Sequence, residues 1–246
     1  MSELRSAHAA HPLYGTRRLA IHLGWGRNKT RRVRNLAGVE VQRPSKRHRG
    51  HKATSPEILA PPNILHRYAK LKDKTRPQNG MDYHAMTQAN AWAQDFTYLW
   101  WRGRWYYLAA VVNLTTREIV GWRLGTNHTS ELTHAALLDA LSRHPTPAIL
   151  HSDQGSEYLS HKHQILCQRM EIRLSASNKG SPWQNTFMER TFGSLKAELG
   201  QLSEFGDLPE LVEAIALTIH YFNNDRIHTA LKMSPAAYAA VLKQTG

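Results

Sequence analysis

Three carboxylates of the 246-residue chain stand out by their surroundings: Asp95, Asp153 and Glu189. Asp95 interrupts the run Ala91-Trp92-Ala93-Gln94-Asp95-Phe96-Thr97-Tyr98, where Trp92, Gln94 and Phe96 alternate onto one face and Asp95 onto the other. A carboxylate in so hydrophobic a strand is costly unless a cation meets it. Asp153 directly follows the short apolar run Ala148-Ile149-Leu150-His151-Ser152, at the loop position where α/β sheets expose ligand-binding groups. Glu189 lies in a late helical stretch beside Phe187 and Met188. Taken singly, these are a satisfied buried polar group, a turn residue and a solvated helix residue. Carboxylates are the ligands that hard divalent cations prefer, and 35 residues separate the last two of these three.

The elements that must position them are legible from periodicity. Ala91–Tyr98, Trp105–Asn113 and Glu118–Leu124 are aromatic and β-branched, with Arg102-Gly103 and Leu114-Thr115-Thr116 as turns, which predicts an antiparallel meander. Trp100, Trp101 and Trp105 read as hairpin packing. Ser130 caps a helix to about Arg143, with Leu132, Ala135, Ala136 and Leu138 at helical spacing. The buried strand before Asp153 comes next. It is followed by a helix at His161–Arg169, a strand at Glu171–Leu174, a mobile loop at Ser175–Pro182 and a helix from about Gln184 to Glu198. Helices near Leu208–Asn223 and Pro235–Gln244 close the chain. The order predicts an α/β fold, a mixed sheet with helices on its faces.

Charge identifies a partner class. The net charge is +13, yet residues 1–80 hold 18 Lys/Arg against 4 Asp/Glu while residues 81–246 hold 14 against 15. The excess lies in the first third, as in a basic nucleic-acid arm joined to a near-neutral body. Within it, Tyr14–Leu23 and Lys29–Ala37 read as short helices around Gly24 and Gly26. Asn28 is the expected N-cap of the second, with Val33, Leu36 and Ala37 inward and Arg31, Arg32 and Arg34 outward. Such a pair resembles a helix-turn-helix reader. The Lys/Arg/His cluster at Arg43–Lys52 and a proline-bearing stretch follow, with one short helix expected at Ile64–Leu71. The expected division is a basic DNA-binding domain at 1–50, a linker at 51–89, a catalytic core at 90–200 and a helical extension at 201–246. No run of about 18 apolar residues exists, so no spanning helix is expected. Met1–Ala10 has no apolar block and reads as no secretory signal, and the lone Cys167 implies a reducing, cytoplasmic compartment. The 15 histidines contain no His-Glu-x-x-His and are discounted as metal ligands.

Ala91–Tyr98, His151-Ser152-Asp153-Gln154-Gly155-Ser156-Glu157-Tyr158 and Asn178–Glu198 resemble the catalytic core of bacterial insertion-sequence transposases, in the retroviral-integrase superfamily. Pro12-Leu13-Tyr14-Gly15 with Arg17-Arg18, Tyr221-Phe222-Asn223-Asn224 with Arg226, His228 and Leu231, and Ser234-Pro235 extend the likeness over nearly the whole chain. The resemblance implies a ribonuclease-H-like five-stranded mixed sheet. It also implies a DDE triad made of Asp95, Asp153 and Glu189, with the basic residue seven positions after the glutamate supplied by Lys196. It further implies cleavage of element ends and joining of their 3′-hydroxyls to target DNA, with two Mg²⁺ about 4 Å apart (Mn²⁺ substituting) held by the triad. Asp95 would bridge both ions. The implied partners are double-stranded DNA and further copies of the chain on it, in a bacterial nucleoid.

Lys196, Asn185, Trp183, Arg17, Arg18, Lys29, Arg31, Arg32 and Arg34 are the expected DNA contacts. Asn185 either orients Glu189 or touches DNA, and Trp183 either stacks on an unpaired base or packs in the core. His151 is expected to support Asp153. Glu157 reads as a loop or substrate-contacting residue, and Arg226 and His228 bind DNA or pack the last helices. Relatives carry an additional N-terminal helix-turn-helix and coiled-coil region, often joined by frameshifting, and this chain is expected to start close to the downstream frame. The stretch from Asp73 to Asn90 exceeds the typical linker. Rival readings are a ribonuclease H acting on hybrids and a catalytically silent DNA-binding remnant. A transposase arm of this charge predicts that log affinity for duplex DNA falls against log salt by about 0.9 per phosphate contact, as read by filter binding across a salt series.

Overall fold

The computed structural model describes residues 1–41, 60–65, 70–71, 81–82 and 90–245. The basic cluster at 43–52 and most of the expected linker lie outside the described residues. So do residues 66–69 of the helix expected at Ile64–Leu71. Lys70–Leu71 instead pairs antiparallel with Met81–Asp82 in a two-residue ribbon, so that end of the helix is corrected to strand.

The sheet contains β1 (Ala91–Trp101), β2 (Arg104–Asn113), β3 (Ile119–Gly125), β4 (Ile149–Ser152) and β5 (Arg173–Ala176), in the order β3-β2-β1-β4-β5. The first three form the expected meander. β4 adds parallel to β1 and β5 parallel to β4. At the hairpin tip Trp101 pairs with Arg104 across Arg102 (φ 47°) and Gly103 (φ 76°). Two positive-φ residues match the right-handed strand twist, so β1 and β2 run unbroken to their turn. β5 begins two residues later than expected because Glu171, at φ 56°, is still part of the turn closing the preceding helix. There the Ile172 N–H donates to the Cys167 carbonyl at 2.8 Å. Ser175 and Ala176 therefore belong to the strand, opposite His151 and Ser152.

Before the sheet come α1 (Ser2–Ala10), α2 (Thr16–His22) and α3 (Arg27–Leu36). Around it lie α4 (Ser130–Leu141), α5 (His161–Arg169), α6 (Thr186–Leu199), α7 (Leu208–Asn224) and α8 (Pro235–Thr245). One sheet face buries Ala93, Leu99, Leu108 and Val112 against Met188, Phe192 and Leu195 of α6 and Ile215 and Phe222 of α7. The other buries Trp92, Ala109, Val111 and Leu150 against α4 and α5. Burial of such side chains, each about 1.5–3 kcal/mol, fixes the layers. α4 presents Thr133, Ala136, Leu137 and Ala140, not the stripe predicted, and Leu138 is 49% exposed. The reason is close approach. A Cβ on Gly121 would sit 2.4 Å from the Ala136 carbonyl oxygen, so the helix seats its alanines there. Thr129, not Ser130, is its N-cap.

Helix α1 went unpredicted because only Leu4 and Ala7 of its nine residues are buried. In α3, Gly26 occupies the N-cap, Asn28 lies inside the helix, and Thr30 takes the buried position. Leu36 is 71% exposed, against expectation. These helices dock on the end of α7. The Ile227 N–H donates to the Tyr14 hydroxyl at 2.7 Å, and His11 Nδ1 meets the Tyr221 hydroxyl at 2.7 Å. Asn223 clamps β3 by accepting from the Ile119 N–H and donating to the Ile119 carbonyl, both at 2.9 Å. Arg226, 3% exposed, pairs with Glu198 of α6 at 2.8 Å, which resolves its role as packing. The His228 N–H donates to the Met233 carbonyl at 2.9 Å, and its ring is held neutral, down to about 4, by burial and by Arg117, Arg226 and Arg18. The Trp residues divide. Trp101 is buried as expected, whereas Trp100 is 52% and Trp105 37% exposed on the opposite face.

His163, fully buried with Nε2 at 2.7 Å from Gln94 Nε2, is lowered from 6.5 to about 4 by desolvation, with His134 adding. The unfolded chain takes up this proton near 6.5 and the native state only near 4. The contribution is therefore complete above pH 6.5 and is lost as pH falls through that window. Urea unfolding at pH 4.5 and 7.5 should show a loss to which this group contributes about 2.5 kcal/mol, with His228, lowered in the same direction, adding to the total.

Candidate active site

β1 and β4 stay in parallel register only from Ala91↔Ile149 to Ala93↔His151. Past this point Asp95 continues along β1 opposite Ala110, while the chain leaves β4 at Asp153. One carboxylate thus lies on β1 just past its last pair with β4, and the other just past the end of β4. Asp95 is half-buried. Its Oδ1 accepts from the Phe96 N–H at 2.8 Å and its Oδ2 from Asn185 Nδ2 at 3.0 Å. The Asp153 Oδ1 accepts from the Gly155 N–H at 2.9 Å, closing a tight turn. A Cβ on Gly155 would lie 2.5 Å from Glu157 Oε1 and 3.0 Å from Asp153 Oδ1, so glycine lets both carboxylates fold over one loop.

Glu157 is buried, and burial pushes its carboxyl above the usual range, with Asp153 adding. The Tyr158 hydroxyl is buried without a hydrogen-bond partner and is raised well above 10 by desolvation, then by Asp95, Asp153 and Glu157. Tyr98 is raised by burial first, and by the same three acids after Tyr107. The structure therefore gathers Asp95, Asp153 and Glu157 around two tyrosines. Glu189 stands apart from them: it lies in the first turn of α6, exposed, four residues past Asn185. Among the described residues no three Asp, Glu, His or Cys side chains are grouped to hold a metal ion as they stand. The donor chemistry nevertheless fits a hard cation. Carboxylates crowd one loop, and the buried Asn185 Oδ1 has no hydrogen-bond partner beside Asp95.

Asn185 meets Asp95 rather than Glu189. It sits at the N-cap of α6, after the 3₁₀ turn Pro182–Asn185. Trp183 in that turn is half-buried, and its carbonyl accepts from the Thr186 hydroxyl at 3.2 Å. Lys196, two helical turns beyond Glu189, donates from Nζ to the Tyr98 carbonyl at 2.5 Å, which pins α6 to β1. His151 is buried between the Ser175 and Ser177 hydroxyls, each at 3.0 Å, and desolvation lowers it to about 3. A neutral imidazole thus ties β4 to Ser175 of β5 and to Ser177 just beyond it. Sequence reading missed Gln184, whose Oε1 accepts from Asn178 N–H at 2.6 Å and from Asn63 Nδ2 at 2.8 Å. It also missed Ser175, whose hydroxyl accepts from Ile64 N–H at 2.9 Å. Both draw on a segment far off in sequence, and no local pattern signals that.

Of the expected arm contacts, Arg17, Lys29, Arg31 and Arg32 are exposed. The Lys29 ammonium lies 4.2 Å from the Trp25 ring centroid, and the Arg18 guanidinium, half-buried, 5.7 Å from that of Tyr14. Arg34 is corrected from outward to inward: its Nη1 donates to the Thr16 hydroxyl at 2.8 Å, at the start of α2.

The Integrase core domain family matches residues 87–182, and a second Integrase core domain family residues 170–235. The insertion element IS600 uncharacterized 31 kDa protein of Shigella sonnei is 31% identical over 96% of this chain and 85% of its own length. The putative transposase InsK for insertion sequence element IS150 of Escherichia coli K12 is 30% identical, over 92% of this chain and 77% of its own. The HTLV-2 integrase catalytic core domain, solved in complex with magnesium, superposes with a TM-score of 0.53 at 23% identity, covering 61% of this chain and 95% of that one. The BIV integrase catalytic core gives 0.52 at 19%, covering 64% and 97%. These structural likenesses establish a ribonuclease-H-like fold.

Replacing the Asn185 amide removes a charge-assisted hydrogen bond, and replacing it with a carboxylate sets two negative groups together. Asn185→Ala should lose about 2 kcal/mol in urea unfolding, and Asn185→Asp should lose more, with part of that difference recovered by added Mg²⁺. Equal stabilities for the two variants, unaffected by Mg²⁺, would detach Asn185 from Asp95.

Proposed function

Since the chain belongs to the bacterial insertion-sequence transposases that carry an integrase-type core, we propose that it cuts DNA at element ends and joins the freed 3′-hydroxyls to target DNA. The observation that supports this most is the placement of Asp95 on β1 and Asp153 at the end of β4, just past the last pair between these parallel strands, with α6 bringing Asn185 onto Asp95 and Glu189 one turn further. Asp95, Asp153 and Glu189 would hold two Mg²⁺, or Mn²⁺ in their place. Bound ions of this kind supply an activated oxygen nucleophile and neutralise charge on the leaving oxygen.

The protein's own groups set the stage for that chemistry. Asn185 fixes which way the Asp95 carboxylate points. The Gly155 N–H does the same for Asp153. His151, neutral between two serines, adds no charge beside the acids while it holds the two strand ends together. Rotation of the exposed Glu189 side chain completes the set, a motion that costs little on a first helical turn facing solvent. Glu157 remains a loop or substrate-contacting residue.

DNA backbone is bound by the arm through Arg17, Arg18, Lys29, Arg31 and Arg32. At the site Lys196, beside the Tyr98 carbonyl, and Trp183 are the proposed contacts. The proposed division is an arm at 1–50, a linker at 51–89, a core at 90–200 and an extension at 201–246. Two ends must be held at once for joining, so the active form is an oligomer on DNA. No helix among the described residues is long and apolar enough to cross a membrane.

Asp95→Asn, Asp153→Asn and Glu189→Gln should each lower Mg²⁺-dependent cleavage of labelled end DNA by at least about a hundredfold while DNA affinity holds. Glu157→Gln should stay within about tenfold of the parent. Near-normal cleavage by Glu189→Gln with loss in Glu157→Gln would exchange the roles of those two acids.

A further inference from the structure

The Tyr158 hydroxyl is a buried polar group beside the acids to which the proposed chemistry gives no role. Its side chain is 2% exposed, and the hydroxyl meets no hydrogen-bond partner. A hydroxyl buried in that condition is costly, so its placement calls for a physical reason. The placement is fixed from several sides. The Tyr158 N–H donates to the Gly155 carbonyl at 3.1 Å, and the Gly155 N–H holds Asp153 Oδ1. Tyrosine and aspartate are thus two ends of one turn. Ser160, the N-cap of α5, donates to the Glu157 carbonyl at 3.0 Å and accepts from the His163 N–H at 3.4 Å. The Tyr158 ring meets the His163 ring edge-on, at 6.1 Å between centroids. His163 is joined at 2.7 Å to Gln94, the neighbour of Asp95 in β1. A phenol enclosed in this way turns little more than its O–H bond. Any partner must come to it.

The surroundings of the hydroxyl decide that partner. After burial itself, Asp95, Asp153 and Glu157 act on it most strongly, and together they keep it protonated. Ionised carboxylates only accept, so toward them the hydroxyl only donates. The three acids differ in what they already hold. Each oxygen of Asp95 has a donor, from the Phe96 N–H and from the Asn185 amide. Glu157 Oε2 accepts from the Ser156 hydroxyl at 3.3 Å. Asp153, among the described residues, is held at Oδ1 alone, which leaves Oδ2 for a second donor. A carboxylate that binds a cation keeps further lone pairs, and a neighbouring donor on one of them fixes its orientation.

Resting on the proposed function, we infer that Tyr158 is a positioning residue whose hydroxyl donates to Asp153 Oδ2 and holds that carboxylate in its cation-binding orientation. The Gly155 N–H and the Tyr158 hydroxyl then grip the two oxygens of Asp153, as the Phe96 N–H and the Asn185 amide grip those of Asp95. Tyr158→Phe removes the hydroxyl and keeps the ring. The full chain is titrated with Mn²⁺, bound ion being read by water-proton relaxation, and is unfolded by urea in EDTA. In EDTA the variant should unfold at the parent's midpoint or above it, since no hydrogen bond is lost. Its Mn²⁺ affinity should fall about tenfold, and that of Asp153→Asn further. Parent-like Mn²⁺ affinity in Tyr158→Phe, where Asp153→Asn has lost it, overturns the role of Tyr158 alone. A lower urea midpoint of Tyr158→Phe in EDTA overturns it as well, because the hydroxyl would then serve the fold without a cation. A parent with no saturable Mn²⁺ binding, or with binding that Asp153→Asn leaves intact, overturns the metal reading and this inference with it.

Discussion

Like charges crowded at the end of a sheet are the constraint from which the rest of this structure follows. Asp95 lies on β1 just past its pairing with β4, Asp153 follows the end of β4, and Glu157 is folded back over the same loop as Asp153 by Gly155. Nothing in the folding of a sheet favours such a cluster. Burial lifts the Glu157 carboxyl, and the acids together help lift Tyr98 and Tyr158. The compensation comes from neutral donors: the Phe96 and Gly155 backbone N–H groups and the Asn185 amide. Those donors orient the carboxylates and bring no positive charge of their own.

Holding that arrangement requires α6 to be set accurately against β1, and the two ends of the chain do this work. Arg226 grips Glu198 near the C-terminal end of α6, Asn223 clamps Ile119 on β3, and the Tyr14 hydroxyl accepts from Ile227. A guanidinium–carboxylate pair this buried is a poor source of net stability but a strong specifier of register, since either partner alone would be left uncompensated. Lys196 adds a further tie from α6 to the Tyr98 carbonyl. The short motifs near the two termini are thus joined in space: one positions the arm, and both brace the helix that carries Asn185 and Glu189.

The meander, the mixed sheet and the order of its helices were legible because alternation and helical spacing are local. The two aspartates were legible because a carboxylate among apolar strand residues is conspicuous. What escaped depends on contact between distant segments. Gly121 decides which face of α4 is buried, through an approach to Ala136 that no pattern within the helix encodes. Arg34 turns inward because Thr16, eighteen residues earlier, offers a hydroxyl. Asn185 was expected either to orient Glu189, one turn away along the helix, or to touch DNA, yet it reaches Asp95 ninety residues away. Helical spacing describes neighbours on one element and is silent about the strand across from it.

Glu189 shows how such a site can be complete in sequence and open in space. Its neighbours Met188 and Phe192 are buried and fix α6 against the sheet, so the backbone at position 189 is set even though the side chain faces solvent. Drawing that carboxylate inward with no cation present would place another negative group beside Asp95 and Asp153, in surroundings that already penalise charge at Glu157. Under the proposed function, a bound cation would draw it in. An acid on a helical first turn can respond to that field by side-chain rotation alone, whereas Asp95, held by two donors inside a strand, cannot. Asp95 and Asp153 are thus held by donors, and under the proposed function the exposed Glu189 would close the centre.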